Sequence, residues 1–281
     1  MSLVFAAIAP HGGMTIEEAC GPGEDKLAIA TRKGMQSLGR MFATAKPEAV
    51  VIATPHNVHV SGALGVVVSS RVAGQLDGAP RSVALDCPTD ADLAWRVLAS
   101  YVEAEIPSVG ISFGGNDPSS AVAPMDWGVL IPLWFMGGRQ QPPVRIVVVT
   151  PARDLSASDH VSAGAAIAAV AAASDRRIAL IASADHGHAH LGSGPYGFHP
   201  AAEEYDTLVT ELVRSEQLDR LVDIPRAMVE DAKADSWWQL LMLHGATMGA
   251  GRAQGADWKG TLISYEAPTY FGMLTASYVP S

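Results

Sequence analysis

Residues 179–200 read ALIASADHGHAHLGSGPYGFHP. The stretch opens as a short apolar run and passes directly into a loop carrying four histidines, four glycines and two prolines. A short apolar run that ends at such punctuation reads as a strand buried on both faces. The same handover occurs twice upstream, in AAIAPHGG (6–13) and VVIATPHNVHV (50–60), where His11 and His56 each follow a proline at the end of an apolar run. In open α/β sheets, ligands bind beyond the carboxyl ends of the strands. Three such runs therefore deliver imidazoles to one sheet edge.

Similar Val/Ile-rich runs recur along the chain. Strands are expected at 3–9, 49–54, 64–69, 109–113, 144–150, 177–182 and 261–265, with a final run at 271–278. Helices are expected at roughly 24–44, 90–104, 159–174, 200–217 and 227–249; the last starts near Pro225 or restarts at Asp235 or Ser236. Strand and helix alternate, and the last two strands are close together. The expected class is three-layer α/β, with a central, mostly parallel but mixed sheet flanked by helices. One domain over 1–281 is the simpler organisation, because no repeat, low-complexity tract or clear linker interrupts the chain. Segments 72–86 and 137–143 read as turn-rich surface loops.

Composition narrows the function. The 281 residues are 48% hydrophobic and 17% charged, with a formal net charge of -10. No Lys/Arg cluster stands out, so neither a nucleic acid nor a membrane is an expected partner. The longest small-apolar run, GAAIAAVAAA (164–173), is too short to span a bilayer. MSLVFAAIAP lacks a basic leader and reads as a first strand. Cys20 and Cys87 are far apart and read as reduced thiols of a cytoplasmic protein.

The histidines suggest metal chemistry, since imidazole is a common ligand for iron, zinc, copper and nickel. In an extended segment His186, His188 and His190 would share one face, so they could form a metal site, or one catalytic histidine with two spectators. A set of two histidines and one carboxylate would hold Fe(II) with positions left open. Asp235, at the start of SWWQLLMLHGA, and Glu266, in LISYEAPTYFG, are the candidate acids; a helix cap and a solvated loop acid are the plain alternatives. The apolar segment MDWGVLIPLWFM (125–136) reads as core, or, more sharply, as a substrate pocket that includes Asp126 and Trp127. The chain contains no GxSxG, no GxxxxGK[ST] and no HExxH, which argues against an α/β-hydrolase, a P-loop enzyme and a zincin.

Taken together, His11 in APHGG, His56 in ATPHNVHV, MDWGVLIPL (125–133), SADHGHAHLGSGPYGFHP (183–200) and SYEAPTYFGMLTA (264–276) resemble the class III, LigB-type extradiol ring-cleavage dioxygenases, whose relatives include the Memo-like proteins. The resemblance covers nearly the whole chain. It implies a LigB-like fold and Fe(II)-dependent cleavage of a catecholic or aminophenolic ring with O2, in aromatic-compound catabolism, with zinc as a substitute metal. His11 and His56 would be metal ligands, and His188 the acid/base, with His186 as a second catalytic histidine. Asp126, Trp127, His199 and Tyr270 would contact the substrate, and Tyr196 would line the same pocket. The family's third ligand is a glutamate near the start of a late helix; here Asp235 is the nearest acid and Glu266 the reserve. A histidine of the family's DHG motif is replaced by Trp127. A homo-oligomer is expected, and some family members need a small partner subunit. The competing readings are a Memo-like metal-binding or redox protein of the same fold without ring cleavage, a zinc hydrolase built on DHGHAH, and a non-enzymatic scaffold.

Overall fold

A computed structural model describes residues 2–114 and 118–281. In chain order its elements are β1 (Leu3–Ala9), α1 (Ile29–Ala45), β2 (Ala49–Ala53), β3 (Leu64–Val67), β4 (Arg71–Gln75), β5 (Ala84–Pro88), α2 (Ala91–Glu103), β6 (Ser108–Ile111), β7 (Val122–Pro124), α3 (Trp127–Phe135), β8 (Arg145–Thr150), α4 (Ala157–Ala172), β9 (Ile178–Ser183), α5 (Ala201–Arg214), α6 (Arg226–Asp231), α7 (Trp237–Gln254), β10 (Trp258–Glu266) and β11 (Met273–Pro280).

Eight strands form one sheet in the order β10-β11-β1-β9-β2-β8-β3-β6. The four central strands run parallel, β11 and β10 join antiparallel on one side, and β3 turns antiparallel against β8 on the other. The apolar runs are continuous because both faces of these strands are covered. In β9, Ile178, Leu180 and Ala182 pack toward α2, α4, α5 and α7, while Ala179 and Ile181 pack toward α1 and α3. Neighbouring β2 divides in the same way, into Ala49, Val51 and Ala53 against Val50 and Ile52. The result is the expected mixed sheet between helical layers.

One expectation is corrected, and another gains its secondary structure. Segment 72–86 is not simply loop: β4 and β5 pair antiparallel there, and β7 completes a second, three-stranded sheet. The segment MDWGVLIPLWFM is largely a helix, α3, opened by the Asp126 carboxylate, which accepts the Val129 N–H at 3.1 Å. Its residues 128–133 are all buried, so no polar face betrays the helical period.

The parallel register places the site. Ala9 of β1 stands opposite Ser183 of β9, and Ala53 of β2 opposite Ala182. Three adjacent strands thus end at one level, and His11, Asp185 and His56 follow them onto the same edge. Of the two starts expected for the helix over 227–249, both occur: α6 opens after Pro225 and α7 restarts after Ser236. The chain reverses at Lys233, which has a left-handed φ of 54°, and α7 then begins after Ser236. That break leaves Asp235 at the amino end of α7, where the helix dipole favours a carboxylate.

α7 is held in place by close contact with α4. A Cβ on Gly245 would lie 1.9 Å from the Val161 carbonyl, and one on Gly164 would lie 1.9 Å from the Met242 carbonyl. Gly245→Ala is therefore expected to lower the free energy of unfolding by about 1–3 kcal/mol despite alanine's better helix propensity. Urea denaturation followed by circular dichroism measures this.

Candidate metal centre

His11 Nε2 and His56 Nε2 face each other at 3.1 Å. The Asp235 carboxylate closes the triangle, with Oδ2 3.4 Å from His11 Nε2 and 3.5 Å from His56 Nε2. Donor atoms held about 2.0–2.2 Å from one ion stand roughly 3.0–3.5 Å from one another. The three edges have that spacing, and the donor set of two imidazoles and one carboxylate suits a divalent transition metal.

The surroundings aim these donors. The hydroxyl of Ser183 donates its one proton to the Gly128 carbonyl at 2.5 Å, so its lone pair accepts from His11 Nδ1 at 3.0 Å. That fixes the proton of the neutral ring on Nδ1 and leaves Nε2 free for an ion. The Asp185 backbone N–H donates to Asp235 Oδ1 at 3.2 Å, and the His11 backbone N–H donates to Asp185 Oδ1 at 3.0 Å. Asp185 also brings its own Oδ2 to 3.3 Å from His11 Nε2.

The electrostatics call for positive charge. Burial alone would push His11 down, but the carboxylates of Asp185 and Asp235 outweigh it and hold the imidazole up at about 9. Burial disfavours the charged form of Asp235, yet His11, His56 and His188 keep that carboxyl well below the usual range. Burial raises Asp185. A cluster that retains a proton on His11 so strongly is a cluster that a cation would satisfy.

Beside the triangle, His188 Nε2 lies 4.0 Å from Asp235 Oδ2. Its other nitrogen, Nδ1, is 2.7 Å from the His186 carbonyl; a carbonyl only accepts, so Nδ1 carries the proton and Nε2 of the neutral ring is free to take one. The ring stacks on Phe271 with centroids 5.4 Å apart and meets Tyr196 and Tyr270 at 5.9 and 6.0 Å. A cleft of about 340 Å³ opens over His56, His188 and Asp235, with Tyr196 and Trp238 on its walls and Arg153 and Lys233 at its rim.

This arrangement coincides with a family match. A family model described as the catalytic LigB subunit of aromatic ring-opening dioxygenase matches residues 5–274. The chain belongs to the LigB family. Protein CA_C1420 of Clostridium acetobutylicum is 23% identical to it over 267 residues, which are 95% of this chain and 55% of that protein. The chain thus spans about half the length of the curated relative it matches. The crystal structure of the uncharacterized protein JW3007 from Escherichia coli K12 superposes with a TM-score of 0.64 at 19% identity, covering 98% of this chain and 99% of that one. At that identity the likeness concerns the fold.

Within this LigB chain the residues singled out from sequence separate. His11, His56 and Asp235 come together, with His188 beside them. Glu266 does not join them: its Oε1 accepts the backbone N–H and hydroxyl of Thr31 at 2.6 and 2.7 Å, in the first turn of α1. His186 is fully buried, its Nδ1 is 2.8 Å from the Ser236 hydroxyl, and burial lowers its pKa, so it braces the start of α7 rather than facing the cleft. His199 is exposed and its Nδ1 accepts the Ala201 N–H at 3.2 Å, at the start of α5 and off the cleft wall. Asp126 caps α3. Trp127 is 50% exposed and lies 4.5 Å from the His56 ring, and Tyr270 adjoins His188. Sequence reasoning passed over Asp185, although it directly follows a strand end and opens the DHGHAH string.

The two candidate acids can be told apart by exchange. Asp235→Ala is expected to weaken binding of Fe(II) or Zn(II) on the order of a hundredfold or more. Glu266→Ala should leave metal binding intact and instead cost about 0.5–2 kcal/mol of stability through the lost cap on α1. Titration calorimetry and urea unfolding read the two effects separately.

Proposed function

We propose that the chain is a non-haem Fe(II)-dependent extradiol dioxygenase that opens a catecholic or aminophenolic ring with O2. The observation that carries this reading is the pairing of a two-histidine, one-aspartate triangle with a separate histidine, His188, whose tautomer is fixed and whose free nitrogen faces the same point. Sites with two histidines, one carboxylate and open positions are those of non-haem Fe(II) oxygenases. When bound, iron(II) supplies the redox chemistry that lets an aromatic diol react with O2 at the positions the protein leaves open.

The chain's own residues have definable tasks. His11, His56 and Asp235 would hold the ion on one side only. His188 Nε2 would take a proton from a substrate hydroxyl and return it later in the cycle, because its Nδ1 proton is held by the His186 carbonyl and Nε2 is the free nitrogen. Phe271, Tyr196 and Tyr270 keep that imidazole in a fixed aromatic frame, and the exposed Tyr196 ring lines the cleft beside it. The cleft's volume of about 340 Å³ is at the lower end of ligand pockets, in keeping with one aromatic ring and its substituents. Trp127 would partly cover His56 at the cleft edge. Among the described residues no helix is long and apolar enough to cross a membrane.

The test is oxygen uptake. Protein reconstituted anaerobically with Fe(II) should consume O2 with at least one member of a panel of catechols, aminophenols and gallate, with a yellow ring-opened product. His188→Ala should keep the metal but lose turnover by a factor on the order of 10²–10⁴. Metal binding without O2 consumption across the whole panel would sink the dioxygenase reading and favour the Memo-like one. Activity with bound zinc and no O2 would favour a hydrolase.

A further inference from the structure

One peptide group in the DHGHAH loop has partners at both of its ends. Its carbonyl, on His186, accepts the His188 Nδ1–H at 2.7 Å. Its N–H, on Gly187, donates to Oδ1 of Asp206 at 2.7 Å. Asp206 lies on α5 and is 1% exposed. Its second oxygen accepts from the Tyr265 hydroxyl at 2.7 Å and from His190 Nε2 at 2.8 Å. Asp206, Tyr265 and His190 belong neither to the metal triangle nor to the cleft wall.

We propose that Asp206 is a positioning residue for His188, acting on it through the 186–187 peptide. The inference rests on the reading of His188 as the proton carrier. A planar trans peptide points its N–H and C=O in opposite directions, so the two hydrogen bonds run in series. Bonds in series polarise one another, and most strongly where water is excluded. A buried carboxylate at the N–H end makes the carbonyl at the other end a better acceptor. That holds the His188 proton on Nδ1 and keeps Nε2 as the base. A carboxylate bonded directly to an imidazole has this effect in hydrolytic triads; here a peptide stands between the two.

The packing admits little alternative. A Cβ on Gly187 would lie 2.8 Å from Ala202 Cα, so the peptide sits hard against the start of α5, one turn before Asp206. On its other side the Gly272 N–H donates to the Gly187 carbonyl at 3.0 Å, and the His186 N–H donates to the Gly272 carbonyl at 2.8 Å. A Cβ on Gly272 would fall 1.9 Å from Asp206 Oδ2. The alternating histidines thus have different tasks. His190 donates a hydrogen bond to Asp206, His186 braces Ser236, and His188 alone faces the metal centre.

Asp206→Asn keeps the shape of the side chain and removes its charge. In full-length protein labelled with ¹⁵N-histidine and loaded with Zn(II), wild-type His188 should show one tautomer with the proton on Nδ1; His188→Gln assigns the signal. In Asp206→Asn the two ring nitrogens should move toward averaged shifts, while Zn(II) affinity changes by less than about threefold. In the Fe(II) enzyme kcat should fall about tenfold or more with KM within about threefold. A folded Asp206→Asn protein with an unchanged His188 spectrum would overturn the proposal. So would a loss of metal affinity as large as the loss of kcat, because that marks general collapse. If the variant does not fold, the wild-type Gly187 amide decides: hydrogen exchange slowed by about a hundredfold or more supports the bond to Asp206, and exchange at loop rates overturns it. The spectroscopic measurements need no turnover, so they stand or fall separately from the dioxygenase reading.

Discussion

Three parallel strands lying edge to edge, β1, β9 and β2, fix where His11, Asp185 and His56 meet in this protein. Their backbone register ends them at one level, and the residues just beyond their ends are forced into one small volume. Those residues include His11, Asp185 and His56. The strands hold that register because both faces are dry. Alternate side chains enter the two cores, and a slip of one residue would exchange the faces along the whole strand. Precision at the site is thus inherited from packing far beneath it. The protein supplies the fourth component, Asp235, from a different direction, at the break between α6 and α7.

Carboxylates are the second constraint. Three acids are largely withdrawn from water near the cleft, and each is matched to different donors. Asp235 faces imidazole nitrogens, Asp185 accepts a backbone N–H and flanks His11, and Asp206 collects an amide, a tyrosine and a histidine. Burying an ionised carboxylate without such partners would be costly. The first two leave the cluster short of positive charge, which gives a cation its place. The third has both oxygens hydrogen-bonded within the fold and serves geometry.

Much of this was legible in the sequence. The strand run Leu3–Ala9 coincides with β1, and the runs at 49–54 and 177–182 fall within a residue of β2 and β9, because continuous apolar stretches bounded by Pro, Gly and His have few other meanings. The strand-end rule then brought His11, His56 and His188 to one edge. Other features depended on contacts that a sequence does not show. The β4–β5 pair lay hidden among Gly, Asp and Pro residues, since its short half-exposed strands carry little pattern. α3 lay hidden because its central residues 128–133 are all buried. The choice between Asp235 and Glu266 turned on Thr31, more than two hundred residues away from Glu266 in the chain. The separate tasks of His186 and His190 turned on Ser236 and Asp206. Asp185 was within reach of the rule that found His11, and its place beside the histidines drew less notice than they did.

The central claim is that one metal ion sits between His11, His56 and Asp235. Crystals of the Fe(II)-loaded protein, grown without oxygen and measured at the iron absorption edge, test it directly. One anomalous peak is expected, within about 2.0–2.2 Å of His11 Nε2, His56 Nε2 and an Asp235 oxygen. A peak bound elsewhere, or one that recruits Glu266 in place of Asp235, would contradict the claim.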